Sequence, residues 1–337
     1  MHIGPLDATD DEALQAWHAT YLAADTAGRA HATPWMLPEM RADFLGERTG
    51  ERVLPFAGYV DRQVVSCGLV ELHLKEDLDV ADVMAWTHPD RRGLGYGSAM
   101  LERLTGTARD AGRTTLTSEV AVPLDGPADG AGHPDADFLV ARGFTFDIGD
   151  VVRVLDLPAN EERLRRLAED AAPYHSDYTL RRFLGPVPED ILEPFGELIG
   201  SLMTEAPSGE LKRDVEIMDE ERIRADERVF EASGRTKYTT VAMAANGDVV
   251  AYSELVVPRH DPQHVYQWGT LVRPDHRGHR LGLATKAHNL LWLQDEVHGP
   301  ASLVTMNAEV NAQMISVNEA LGFRAVERLA EFHKRLA

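Results

Sequence analysis

Two short phrases in the chain have the residue types needed to hold an anion. His88-Pro89-Asp90-Arg91-Arg92-Gly93 and Arg273-Pro274-Asp275-His276-Arg277-Gly278 repeat at an offset of 185 residues, and the offset persists to Gly97 and Gly282. The first continues as Leu94, Gly95, Tyr96, Gly97 and Ser98; the second as His279, Arg280, Leu281, Gly282, Leu283, Ala284 and Thr285. A strand, a proline, an Arg-Gly-x-Gly-x-Gly run and then a helix form a device for a diphosphate. Glycines let the backbone approach the ligand, and the new helix aims unpaired N–H groups and its positive dipole end at it. Neither copy has the lysine-bearing phrase of a P-loop, and the spacing of Gly93, Gly95 and Gly97 does not fit a dinucleotide fingerprint. A single glycine-rich turn is commonly just a turn. Two in register, each led by an arginine, favour a ligand.

The elements that must position these loops also come in two sets. Val53 to Val60, Gln63 to Leu74 and Asp79 to Thr87 precede the first loop; Tyr238 to Ala244, Val249 to Val257 and Val265 to Val272 precede the second. These runs are β-branched or alternate apolar with polar, as strands do, and Asn246-Gly247 suits a two-residue hairpin. After each loop the period becomes helical, with Met100, Leu101, Leu104 and Ala108 on one face in the first copy and Ala287, Leu290, Leu291 and Leu293 in the second. A short strand follows in each, Thr114 to Val120 or Ala301 to Met306, then a short helix and a Gly-Phe step, Gly143-Phe144 or Gly322-Phe323. Helices are expected at Asp10 to Ala24, Pro38 to Gly46, Asn160 to Ala172, Glu189 to Met203 and Asp219 to Ala232. The repeat predicts an N-terminal domain over 1–158, a helical linker over 159–176 and a C-terminal domain over 177–337.

Composition agrees with two globular domains: 337 residues, 44% hydrophobic and 26% charged. Aspartate and glutamate total 55 against 34 lysines and arginines, a formal charge of -21. That field repels nucleic acid and suits either a cationic partner or plain solubility. The one cysteine, Cys67, cannot form an internal disulfide, and no run approaches a membrane span, so a cytoplasmic protein is expected. His260 and His264, and His276 and His279, have spacings that invite a metal. The first pair flanks Pro262 in an apparent loop and the second lies in the anion loop, so no metal site is expected.

With its Arg/Gln-x-x-Gly-x-Gly/Ala motif met in full by Arg92, Gly95 and Gly97, and met by Arg277, Gly282 and Ala284 only if Arg280 is accepted in the first glycine slot, the chain resembles the GCN5-related N-acetyltransferase family. The resemblance covers nearly the whole chain as two tandem modules. It implies an α+β fold in which each domain is a mixed, mostly antiparallel sheet flanked by helices and splayed at its fourth strand. It also implies acetyl-CoA as cofactor, its pantetheine along Trp268 to Arg273, with Leu271, Val272 and Arg273 lining the arm. Backbone N–H groups near Leu271 and Val272 would polarise the thioester. Asn307, Asn311, Met314 and Asn318 look like the segment after the family's fifth strand, and only the second copy has that series. Met203 to Arg213 would border the acceptor.

The reaction this implies is acetyl transfer to a primary amine of a small molecule, with the C-terminal domain as the catalytic one and the protein a monomer or homodimer. An amine must lose its proton to attack, and Glu254, flanked by Ser253 in an otherwise apolar run, is the leading base. Its plain alternative is a carboxylate on a solvated strand face. Glu71 holds a roughly similar place in the first copy. The family's usual acid, a tyrosine four residues before the Gly-Phe glycine, is replaced by Leu139 and Asn318, and neither can replace a phenol. Tyr266 and Tyr252 are substitutes by residue type, as is the terminal carboxylate at Ala337. Glu254, Tyr266 and Asn318 are therefore the catalytic positions to inspect. The rival readings are a non-catalytic CoA-binding regulator or scaffold, and an acetyltransferase acting on a protein amine.

Overall fold

The computed structural model describes residues 1–336. In chain order the elements are β1 (His2–Pro5), α1 (Asp11–Asp25), α2 (Leu37–Leu45), β2 (Glu51–Val60), β3 (Gln63–His73), β4 (Val80–Thr87), α3 (Tyr96–Asp110), β5 (Thr115–Val122), α4 (Pro134–Val140) and β6 (Thr145–Asp156). They continue with α5 (Glu161–Ala171), β7 (Thr179–Leu184), α6 (Leu192–Gly200), α7 (Leu202–Glu205), α8 (Glu220–Ala232), β8 (Arg235–Met243), β9 (Val249–Pro258) and β10 (His264–Val272). The last are α9 (Leu281–Glu296), β11 (Ser302–Ala308), α10 (Ala312–Leu321) and β12 (Arg324–Arg335). The expected strands before each loop and most of the expected helices appear within a few residues of their predicted ends. The helix expected over Glu189 to Met203 is instead a 3-10 turn followed by α6 and α7. Among the described residues no helix is long and apolar enough to cross a membrane.

Local chemistry explains the helix starts. Asp10, Asn160 and Asp219 each accept a backbone N–H in the first turn of α1, α5 and α8. Acidic residues fill those first turns, where the helix dipole favours them.

The chain forms two compact units: residues 1–148 with 329–337, and residues 149–328. In the first, the strand order is β1-β2-β3-β4-β5, and the end of β12 follows β5. Its β1–β2, β2–β3 and β3–β4 pairings are antiparallel and the β4–β5 step is parallel. In the second, residues 149–156 of β6 lead into β11-β10-β9-β8-β7, again with one parallel step, β10–β11. Helix α3 packs on one face of the first sheet through Met100, Leu101 and Leu104, against Val70, Leu72 and Leu116. Helix α9 does the same in the second through Ala287, Leu290 and Leu293, against Leu255, Val265 and Leu303.

This division departs from the predicted one. The boundary falls inside β6, at Ile148–Gly149, rather than over 159–176, and the chain returns to the first unit inside β12 at Leu329. The physical reason lies in the cores. Ala330 and Phe332 are buried with Phe144 and Leu116, and Phe146 meets Phe332 edge-on at 5.9 Å. Residues 150–156 pair with Ala308–Ser302 instead, and Leu155 joins the core under α9. Helix α5, expected as a linker, packs in that same core through Leu164 and Ala168.

Candidate active site

In each unit the fourth and fifth strands separate. β4 pairs with β5 only through Val80–Asp82, and β10 with β11 only through His264–Tyr266. Beyond those pairs Val83–Thr87 and Trp268–Val272 show no strand pairing on that edge among the described residues, Gln267 O still accepts from Thr305 Oγ1 of β11 at 3.2 Å, and each run leads directly into an anion loop. At the first loop Gly95 is the helix N-cap in left-handed backbone at φ 83°. At the second Arg280 takes the same place at φ 54°. The slot thus keeps its conformation with a side chain that costs roughly 1 kcal/mol there. That side chain is spent on packing: its guanidinium lies 4.0 Å from the Tyr174 ring centroid and donates to Asp170 O. His279 is also drawn aside, its Nδ1 3.1 Å from Tyr174 O. A Cβ built on Gly93, Gly95 or Gly278 meets nothing within 4 Å, so each loop faces an open space that can admit a diphosphate.

The two leading arginines are placed alike. Arg92 Nε donates to Thr87 O and Arg277 Nε to Val272 O, both at 3.4 Å. Their tips differ. Arg277 Nη2 donates to Glu205 at 2.7 Å, whereas Arg92 reaches Ala24 O at 3.4 Å and Asp135 at 3.9 Å. Glu205 ends α7 at the start of the Met203–Arg213 segment. Leu94 is exposed, and Ser98 accepts a hydrogen bond from Arg142. Leu281, Ala284 and Thr285 bury their side chains, so only their backbone can face a ligand.

What most separates the units is a β-bulge. In unit 2 the β9–β10 register shifts between Gln267 and Thr270, leaving Trp268 and Gly269 out of step. In unit 1 the β3–β4 register runs unbroken from Ser66–Thr87 to Leu72–Ala81. Gly269 is required at the bulge, because a Cβ there would lie 2.3 Å from Tyr252 Oη. Asn289 of α9 braces the strands beneath, donating to Tyr238 O and Ser253 O while accepting from Thr240.

Glu254 sits between Ser253 and Leu255, which pair with Thr270 and Gln267, and so lies opposite the bulge. It is 7% exposed rather than solvated, and its Oε1 accepts from Lys237 Nζ at 3.3 Å. Phe230 and Trp268 meet edge-on at 5.0 Å beside it, with Lys237 Nζ 4.7 Å from the Phe230 centroid and 5.9 Å from that of Trp268. Tyr252 shares the Glu254 face; burial first, then the Glu254 charge, pushes its phenol well up. The sequence reading missed Lys237. Its signal was a lysine at the boundary between the polar start Arg235-Thr236 and the buried run Tyr238 to Ala242 of one strand.

Several expected residues are committed elsewhere. Tyr266 donates its hydroxyl to Asp261 Oδ2 at 2.9 Å, and His264 Nδ1 meets the same buried carboxylate at 2.9 Å. Burial pushes the Asp261 carboxyl up, but the His264 and Tyr266 hydrogen bonds together outweigh it and hold it below the usual range. Tyr266 is thus tied into a loop network rather than presented at the bulge. Asn318 is fully buried and donates to Asn307 Oδ1 at 3.1 Å, tying α10 to β11. Asn311 caps α10 by accepting from Met314 N. Arg273 is held by Asp248 and Asp275. Ala337 lies outside the described residues.

Glu71 is not the counterpart of Glu254. Ser66 pairs with the last residue of β4 as Ala251 does with the last of β10, and three residues on stand Leu69 and Glu254. Unit 1 therefore has an aliphatic side chain where unit 2 has a carboxylate. Its corresponding face is filled by aromatic rings, with Trp86 edge-on to Trp17 and Tyr21. Glu71 belongs to a separate cluster in which Glu71, His73 and Asp82 offer ligand atoms within 4.8 Å of one another. Burial first, then the Glu51 and Asp82 charges, pushes the Glu71 carboxyl well above the usual carboxylate range. A raised folded-state value means stability that is whole below the ordinary carboxylate value and is lost progressively as pH rises from there to the raised one. Glu71→Gln should match the wild type in urea midpoint at pH 5, and at pH 8 be more stable by about 1–2 kcal/mol.

Splayed strands and helix-capped loops, present twice, define an acyl-CoA-binding type of fold, and the second copy adds the bulge. Neither the family models nor the curated proteins compared contain a match. Solved structures do. A tandem GNAT protein from the clavulanic acid biosynthesis pathway is 26% identical, with TM-score 0.78, covering 99% of this chain and 98% of that one. The GCN5-related N-acetyltransferase from Sphaerobacter thermophilus shares the fold at 13% identity and TM-score 0.62, over 99% and 95%. A GCN5-related glucosamine N-acetyltransferase region of a fungal multi-domain β-N-acetylglucosaminidase matches at 12% and TM-score 0.65, over 98% of this chain and 38% of that one. The chain is thus similar, over almost its whole length, to the GCN5-related N-acetyltransferases in their tandem form, a fold whose enzymes generally use acetyl-CoA.

Proposed function

We propose that the chain is a cytoplasmic, acetyl-CoA-dependent N-acetyltransferase that acetylates a primary amine of a small molecule, with the reaction carried by unit 2. The observation that carries this is the pairing of the Trp268–Gly269 bulge with the buried carboxylate of Glu254, where unit 1 has a regular strand and Leu69. Acetyl-CoA would supply the activated acyl carbon as a thioester. Arg277, released from Glu205, and the N–H groups of Gly278 to Gly282 would hold its diphosphate. The edge from Trp268 to Val272 would hold its pantetheine arm. Backbone N–H groups at the bulge are set to accept the negative charge that develops on a carbonyl oxygen, a role usually worth about 3–4 kcal/mol in the barrier. Glu254 takes the proton from the incoming amine. In the second loop the anion is met by backbone and Arg277 rather than by Arg280, whose side chain lies over Tyr174.

Calorimetric titration of acetyl-CoA into the wild type, Arg92→Ala and Arg277→Ala tests the assignment. Arg277→Ala should weaken the site that supports turnover by about tenfold or more, in keeping with loss of a charge-assisted contact. Arg92→Ala should leave turnover unchanged. Loss of turnover in Arg92→Ala alone would move the reaction to unit 1, and no binding to the wild type would remove the acetyltransferase reading.

A further inference from the structure

The site already holds one primary amine. Lys237 Nζ lies 3.3 Å from Glu254 Oε1, on the face that also carries the bulge residue Trp268. Its side chain is partly exposed at 29%, while that of Glu254 is at 10%. The ammonium sits against the Phe230 and Trp268 rings, which favour a cation but do not bond its protons directionally. It is held by one carboxylate and two aromatic faces, and the stem above it is four flexible carbons. An external amine awaiting acetylation at this site would need the same surroundings: a carboxylate to accept its proton, an apolar wall, and the bulge within reach.

We propose that Lys237 is an acceptor in its own right, acetylated on Nζ within the same chain by the acetyl-CoA held in unit 2. The inference rests on the reading of unit 2 as an acetyltransferase. The step balances without a further reactant. Glu254 accepts a proton from the Lys237 ammonium, and the freed lone pair attacks the thioester carbonyl carbon. The new C–N bond forms as the C–S bond breaks, the sulfur leaves with the bonding electron pair and takes the second proton from the nitrogen to become the thiol, and the proton on Glu254 is returned to solvent. The product is a neutral amide on Lys237, so Glu254 loses its partner charge and stands open to other amines. The chain's other lysines are placed differently. Lys212 is exposed, Lys286 is buried near Phe323, and Lys75 and Lys334 belong to unit 1, where Lys334 donates to Arg142 O.

The test is to incubate the full chain with acetyl-CoA and no added amine, then follow each lysine by peptide mass spectrometry. Lys237 should gain one acetyl group at least about tenfold faster than the exposed Lys212, as general-base assistance predicts. The rate should not change with protein concentration, since the reaction is within one chain. Glu254→Gln should slow Lys237 to the Lys212 rate and leave Lys212 unaltered. Lys237→Arg, which keeps the ion pair, should abolish the modification while circular dichroism reports an unchanged fold. Acetylation of an added amine with Lys237 unmodified would overturn this inference and spare the enzyme reading. Lys237 labelled no faster than Lys212 would also overturn it. Failure to bind acetyl-CoA would overturn both.

Discussion

Glu254→Gln is expected to lower turnover of an added amine by about two orders of magnitude, with the affinity for acetyl-CoA nearly unchanged. The substitution keeps the shape of a side chain that is 7% exposed and packed opposite the bulge, and removes only its ability to take a proton. Its cost in stability should be small. The lost partner, Lys237, is partly exposed and can rehydrate its ammonium, so the ion pair is worth under about 1 kcal/mol. The measurement is steady-state kinetics with calorimetry on the same preparation. A fall in kcat without a rise in the acetyl-CoA Kd assigns Glu254 to chemistry rather than to binding. Turnover within a few fold of wild type would remove it as the base. Tyr266→Phe gives the contrast: its hydroxyl serves Asp261, so it should disturb the loop carrying His264 more than the rate.

A chain that stops at Arg328 should lose the structure of its first unit. The missing residues include Ala330 and Phe332, at 0% and 1% exposure, and Leu329 at 9%. They also include Lys334, which donates to Arg142 O, and Leu336, whose N–H donates to Thr114 O, both at 2.7 Å. Truncating one buried phenylalanine costs about 3–5 kcal/mol, and a domain has only about 5–15 kcal/mol to lose. Removing the whole strand end also exposes one edge of β5. Trp17 and Trp86 report on that unit and Trp268 and Trp292 on the other, so fluorescence of single-tryptophan variants can follow each separately. Unit 1 is expected to be unfolded at 25 °C in the truncated chain while unit 2 keeps its signal. Phe332→Ala alone should lower the unfolding free energy of unit 1 by about 3–5 kcal/mol. A truncated chain with native near-ultraviolet circular dichroism would refute the assignment of residues 329–337 to that core.

Much of this was legible from local pattern. The anion loops announce themselves through arginine and glycine spacing, and the strands before them through alternation, because both depend on residues adjacent in sequence. Arg280 in a glycine slot looked like a blemish in the motif. The structure shows the motif's conformation kept and the side chain spent on Tyr174, a trade no spacing rule records. The bulge left a trace, a glycine inside a strand, but its effect is to shift register by one residue. The equivalence of Leu69, not Glu71, to Glu254 was within reach of the sequence, because the repeat's offset of 185 residues gives it directly and the strand pairing agrees. In the asparagine series after β11, spacing does not show that Asn311 also caps α10 or that Asn318 ties it to β11. Least legible were β6 and β12. Their alternation predicts strands, but which neighbour each half joins is decided by cores assembled from residues far apart in the chain.

The two passages of the chain between units also set a timetable for synthesis. The first 148 residues emerge with a core that lacks its final strand, and 180 further residues must be made before Leu329 appears. At about 5–20 residues per second that is a wait on the order of ten to thirty seconds with the Leu116 and Phe144 side of the sheet uncovered. Residues 149–156, by contrast, are ready early and wait for β11. The half that is translated first is therefore the half that is completed last.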